Sequence, residues 1–153
     1  PITREEFEQI VQENGYKEYE FLGLAARSGL QDIVEYYIDN DSFDFSNIDN
    51  IDLKPLLDPM CDDRLVKKLI EKDSFNFDGY QMMITKHFFT IEDFEYIDYL
   101  AGKFGEQDVY SNFNNDSIRS ASGRKLDFLF DRFQNTEIDL LTMMQACVLT
   151  KSN

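Results

Sequence analysis

Apolar residues along this chain fall at helical spacing, and one block of them returns thirty-two positions later. Ile33, Val34, Tyr37 and Ile38 align without gaps on Leu65, Val66, Leu69 and Ile70, and Asp41-Ser42-Phe43 falls on Asp73-Ser74-Phe75. An i, i+1, i+4, i+5 stripe is one face of a helix. A period near thirty-two predicts stacked helical hairpins, because no single unit of that size buries its apolar face without a neighbour.

The pattern predicts further elements on either side. Thr3 with Glu6 three residues on forms a capping box, and Ile2 and Phe7 occupy the staple positions. Phe7, Ile10 and Val11 then continue a helix over 4–13 that Asn14-Gly15 ends. In the second copy the first helix is expected over 53–58, with Pro55 tolerated early and Pro59 closing it, and the second over 63–72. The third runs from Tyr80 through Ile84 and Phe88 to a helix opened by Thr90 with Asp93. Phe94, Ile97, Leu100 and Ala101 give that helix its stripe, and Gly102 or Gly105 closes it. A fourth has Asp116 to Ser120, a turn at Gly123, then Leu126, Leu129, Phe130 and Phe133. Val34, Val66, Ile97 and Leu126 are the equivalent positions of the four copies. A capping helix over about 136–149 is expected to cover the last face with Ile138, Leu141, Met144 and Val148.

The stretch Leu22-Gly23-Leu24-Ala25-Ala26-Arg27-Ser28-Gly29-Leu30-Gln31-Asp32-Ile33-Val34 resembles the body of an ankyrin repeat. Small Ala25 and Ala26 let two helices approach, and Gly29 supplies the permissive turn between them. The resemblance covers about 19–134 and is concentrated in 22–45. The family's threonine-proline opening and the histidine before the alanines are missing from every copy, which puts regular β-hairpin fingers in doubt. What the resemblance implies is an all-α, ankyrin-like solenoid of three to four irregular repeats in one domain, 1–153. The repeats over 19–134 would stand between an N-terminal helix (1–15) and a C-terminal capping helix (135–150). It also implies protein–protein contact through loop tips (46–50, 78–80 and 107–110) and the open side of each first helix. Carried onto this chain, the partner-binding residues are Glu20, Arg27, Asn47, Asp49, Asp78, Tyr80, Gln81 and Tyr110, with Gly23 and Lys86 beside them. Tyr80 and Tyr110 are the expected anchors, since aromatics dominate interface hot spots. Degenerate arrays of this kind occur in viral and intracellular-pathogen factors directed at host proteins, and the Asn/Asp/Phe/Ile-rich composition suits such a source.

Charge narrows the partner. Thirty acidic residues stand against fifteen basic, for a net charge of −15. Between Asp39 and Asp63 eight aspartates face only Lys54. Direct binding to nucleic acid or an anionic membrane is disfavoured, since both reward cationic surfaces. A protein partner with a basic patch is favoured, and a solvated acidic exterior is the simplest reading of the charge. A second function class keeps the acidity but copies spaced phosphates, as an inhibitor of a DNA- or RNA-binding protein. With 42% apolar and 14% aromatic residues the chain has enough to fold. No apolar run approaches the roughly twenty residues that span a bilayer. Cys61 and Cys147 lie far apart, so free thiols in a reducing compartment, cytoplasmic or nuclear, are expected.

Candidate chemistry is thin. Residues 39–44 hint at a calcium loop, yet Phe43 and Asp44 stand where an oxygen ligand and a glycine belong, and Asn50 where a glutamate closes the loop. Asp62 with Asp63 reads as a helix cap rather than an acid–base pair. His87 is the only histidine, so an enzyme reading must centre on it. Gly123-Arg124-Lys125 lacks phosphate-loop spacing and reads as a repeat turn. Met82-Met83 and Met143-Met144 read as core filler. No metal, cofactor or catalytic residue is assigned.

Overall fold

In the computed structural model the described residues are 1–40, 45, 53–57 and 62–132. They are helical throughout, with no strand among them. The expected capping helix at 136–149, the tip residues Asn47 and Asp49, most of the calcium-like stretch, and both cysteines lie outside them.

The chain divides into two compact units, Pro1–Gly79 and Tyr80–Asn153. The first holds α1 (Arg4–Glu13), α2 (Phe21–Arg27), α3 (Gln31–Asp39) and α4 (Asp63–Ile70), with single 3-10 turns at Glu18–Glu20, Lys54–Leu57 and Phe77–Gly79. The second holds α5 (Gln81–Thr90), α6 (Phe94–Phe104), α7 (Glu106–Tyr110), α8 (Asn115–Ser120) and α9 (Arg124–Arg132).

α1 forms as its signals dictate. Thr3 Oγ1 accepts from Glu6 N at 3.2 Å while Thr3 N donates to Glu6 Oε2 at 3.2 Å, so two otherwise orphaned donors are satisfied reciprocally. Gly15 adopts φ 86° and closes the helix. Phe7 and Val11 face inward, and Phe7 meets Phe21 edge-on with ring centroids 6.2 Å apart. Tyr37 lies within 6.5 Å of both rings, so three aromatics fill the space between α1, α2 and α3.

The α2–α3 hairpin turns on Gly29 at φ 73°. Leu30 N donates to Ala25 O at 3.0 Å and Gly29 N to Ala26 O at 3.1 Å, the paired bonds of a Schellman end. A side chain at Gly29 would meet nothing within 4 Å, so the position needs glycine for its backbone angle alone. The same bonding pattern ends α5: Asp93 N donates to Phe88 O at 2.9 Å and Glu92 N to Phe89 O at 3.1 Å, with Glu92 at φ 59°. Gly123, before α9, is left-handed too, at φ 56°. Glu92 and Gly123 stand thirty-one positions apart, and Gly29 stands sixty-three before Glu92.

The helix after each turn buries the stripe that the repeat foresees. Val34, Val66 and Ile97 are fully buried and Leu126 nearly so. Ile33, Tyr37 and Ile38, then Leu65, Leu69 and Ile70, accompany the first two. Each fully buried aliphatic chain contributes about 1.5–3 kcal/mol of transfer free energy, so these stripes dominate the packing.

Four expectations are corrected. Of the helix expected at 53–58, the described part is one 3-10 turn, Lys54–Leu57, in which Leu53 O accepts from both Leu56 N and Leu57 N. The second helix of the third repeat opens at Asp93, whose carboxylate accepts from Tyr96 N at 3.3 Å. Thr90 belongs to the end of α5, its hydroxyl donating to Lys86 O at 2.8 Å. The 107–110 tip is helical, as part of α7, because Gly105 at φ 111° lets the chain turn and resume with Val109 and Tyr110 inside. Met82, read as core filler, is 59% exposed. Gly102 lies within α6, and Gly105 is the residue that ends it.

Candidate interaction surface

α3 and α4 pack against each other, and the residues that flank their buried stripes differ in charge between the two copies. Asp32 aligns with Arg64, and Tyr36 with Lys68. Arg64 straddles Glu35, donating from Nη1 and Nη2 to its two oxygens at 2.9 Å each. Lys68 Nζ reaches Glu35 at 3.0 Å and Asp39 at 2.8 Å. Arg64 also lies 3.4 Å from Asp62, whose Oδ1 accepts from Arg64 N at 2.9 Å as the cap of α4. The hydrogen bonds from Arg64 and Lys68 hold the Glu35 carboxyl down at about 2. Asp39 and Glu35 in turn raise the Lys68 ammonium above its ordinary range.

A second network ties α6, α7 and α9. Arg132 Nε donates to Asp98 Oδ1 at 3.0 Å and its Nη2 to Oδ2, while Tyr110 Oη donates to Oδ1 at 2.7 Å. Burial works to raise Asp98, but the bonds from Arg132 and Tyr110 outweigh it and leave the carboxyl lowered. Burial first, then the bond to Asp98, pushes the Tyr110 hydroxyl up to about 12.

These networks decide which expected contact residues stay available. Tyr110 is 4% exposed and engaged with Asp98, and Tyr80 is 8% exposed, so neither presents a ring to a partner. Their aromatic character serves the interior. Glu20 is half-buried, and its carboxylate accepts from Lys17 N at 2.9 Å at the start of the 3-10 turn. Gln81 Oε1 is buried without a hydrogen bond, as is Thr85 Oγ1 one helical turn on. Gly23 is buried. Arg27, Asp78 and Lys86 are exposed as expected.

The exposed large side chains are Tyr16, Tyr19, Tyr36, Tyr99 and Ile91, with Ile10 and Met82, which the sequence pattern had assigned to the apolar stripe of α1 and to the core. Tyr36 stacks under Arg4, 4.2 Å from guanidinium to ring centre. Its signal was present in the repeat, since the equivalent of Tyr36 is the outward-facing Lys68. His87 packs edge-on against Phe88 at 5.0 Å. Among the described residues no cluster of His, Cys, Asp or Glu could hold a metal ion, and no helix is long and apolar enough to cross a membrane.

The second unit contains a cleft of about 370 Å³ between α5, the 112–120 segment and the start of α9. Lys86, Phe89 and Phe113 line it with Ser117, Ser120 and Lys125. Comparison of the chain with protein-family models, curated proteins and solved structures finds no match.

Proposed function

We propose that the chain is an ankyrin-like helical-hairpin repeat module that binds another protein, one carrying a basic patch, through its acidic exterior. The observation that carries this reading is the recurrence of one turn: the same paired bonds around a left-handed residue at 29 and at 92, each five residues before a fully buried position, Val34 and Ile97. Such an array presents a stepped outer surface, and that surface is what related architectures use. Charge supports the sign of the partner. Ion pairs within the chain engage Arg4, Arg64, Lys68, Arg119 and Arg132, and each pairing leaves the acidic surplus of fifteen untouched. Arg27 and Asp78, with the half-buried Glu20, are the contact residues retained. The free-thiol reading of the cysteines puts the module in the cytoplasm or nucleus, and a host-directed pathogen factor is the setting the resemblance suggests.

The test is capture of partners by the wild-type chain and by an Asp32→Asn/Asp73→Asn/Asp78→Asn variant, at low salt and at about 0.5 M, where screening shortens charge interactions to a few ångströms. Partners with basic surfaces should be lost in both the variant and the high-salt arm. A set of partners retained unchanged in both arms refutes the reading.

A further inference from the structure

The cleft of the second unit has a sign opposite to that of the chain. Lys86 enters it from α5 and Lys125 from the start of α9. Among the described residues neither lysine is engaged by a carboxylate. The acid on the rim, Asp116, is held by Arg119 at 2.9 Å. Lys125 sits over the Phe89 ring, 5.8 Å from its centre, and Phe113 packs edge-on to Phe89 at 5.0 Å. The floor is therefore aromatic while the free charge above it is positive.

Several of the remaining polar side chains donate within the chain. Ser120 Oγ donates to the carbonyls of Asp116 and Ser117, and Thr90 Oγ1 to that of Lys86. Ser117 Oγ accepts from Asn114 N and donates to Asn114 Oδ1, and Asn112 Nδ2 donates to Asp108 O and Val109 O. Lys86 and Lys125 are the two cationic side chains among the residues that line the cleft. Two point cations suit a phosphate dianion, which carries about −1.5 to −2 charge near neutral pH. The volume lies within the range of about 300–1,000 Å³ usual for small-molecule sites, and an apolar floor with few polar groups is the common form of such a site.

We propose that this cleft binds a small ring-bearing monophosphate, its phosphate between Lys86 and Lys125 and its ring on the Phe89–Phe113 floor. The site is independent of the acidic exterior: it recognises the opposite charge, and removing it leaves capture of a basic partner intact.

The probe is adenosine monophosphate added to the full chain, followed by amide chemical shifts and by calorimetry, with adenosine and inorganic phosphate as separate arms. Shifts should map to α5, residues 112–120 and the first turn of α9, with a dissociation constant of about 1 mM or tighter. Adenosine alone and phosphate alone should each bind at least about tenfold more weakly, since each satisfies half the site. Lys86→Gln and Lys125→Gln should each weaken the nucleotide severalfold and abolish binding together, with thermal unfolding unchanged. Asp116→Asn, which removes the acid from the rim, should tighten it. No shifts at about 5 mM nucleotide, wild-type affinity in the double variant, or an Asp116→Asn chain that binds no better would each overturn the proposal. Equal binding of phosphate and nucleotide would overturn it as well.

Discussion

Arg64 grips Glu35 across two neighbouring helices with a pair of hydrogen bonds of 2.9 Å, and these residues come from the same stripe edge in successive copies of the repeat. The contact therefore ties α3 to α4 beside their buried stripes. Lys68 adds a second cation to the same carboxylate.

The first prediction concerns acid. Glu35 titrates at about 2 in the folded chain, below its ordinary value near 4.5. For a lowered carboxyl the folded state binds fewer protons, so the stabilisation is complete above about 4.5 and disappears as pH falls towards 2. Carboxyl carbon shifts of Glu35 should give that midpoint directly, and Arg64→Ala should move it upward. Denaturation followed between pH 5 and 2 should be less steep in Glu35→Gln than in wild type. An unshifted Glu35 midpoint would remove the ion pair from the account.

The left-handed turns predict opposite effects from opposite substitutions. Gly29→Ala places a Cβ at φ 73° with no contact to offset the strain, and should cost about 1–2 kcal/mol. Glu92→Gly relieves the same conformation where it is held by a non-glycine, and should stabilise by up to about 1 kcal/mol. Paired thermal melts check both, and a destabilised Glu92→Gly chain contradicts the shared-turn argument.

Burial separates residues that composition treats alike. Leu69, fully buried, should lose about 2–5 kcal/mol on replacement by alanine through lost transfer energy and a cavity. Met82, 59% exposed, should change stability by less than about 0.5 kcal/mol on the same replacement. Chemical denaturation of the two variants reads the difference.

Tyr110→Phe deletes the hydroxyl that donates to Asp98 and should cost about 1 kcal/mol. Its pKa is raised to about 12 from an ordinary 10, so its contribution is complete below about 10 and lost as pH climbs through 12. Stability profiles between pH 9 and 12 should fall more gently in Tyr110→Phe than in wild type.

Much of the fold was readable because local rules acted alone. Thr3 and Glu6 cap α1, Gly15 and Gly29 are left-handed, and Asp62 caps α4, each within a few residues of the signal that foretold it. The buried positions Val34, Val66, Ile97 and Leu126 followed from periodicity, since a stripe that repeats must face the same way in each copy. The candidate surface was less legible. Tyr80 and Tyr110 carry rings that suit an interface or an interior equally, and pattern cannot tell which side of a short helix will be covered.

The amino-acid order by itself determined the caps of α1 and α4, the left-handed turns at Gly15 and Gly29 and the sign of the charge, because these depend on neighbours along the chain. Tertiary structure alone decided that Arg64 meets Glu35, that Tyr110 turns inward to Asp98, and that Lys86 and Lys125 line one cleft. Such pairings join residues twelve to thirty-nine positions apart. They exist only once packed helices bring those side chains within bonding range.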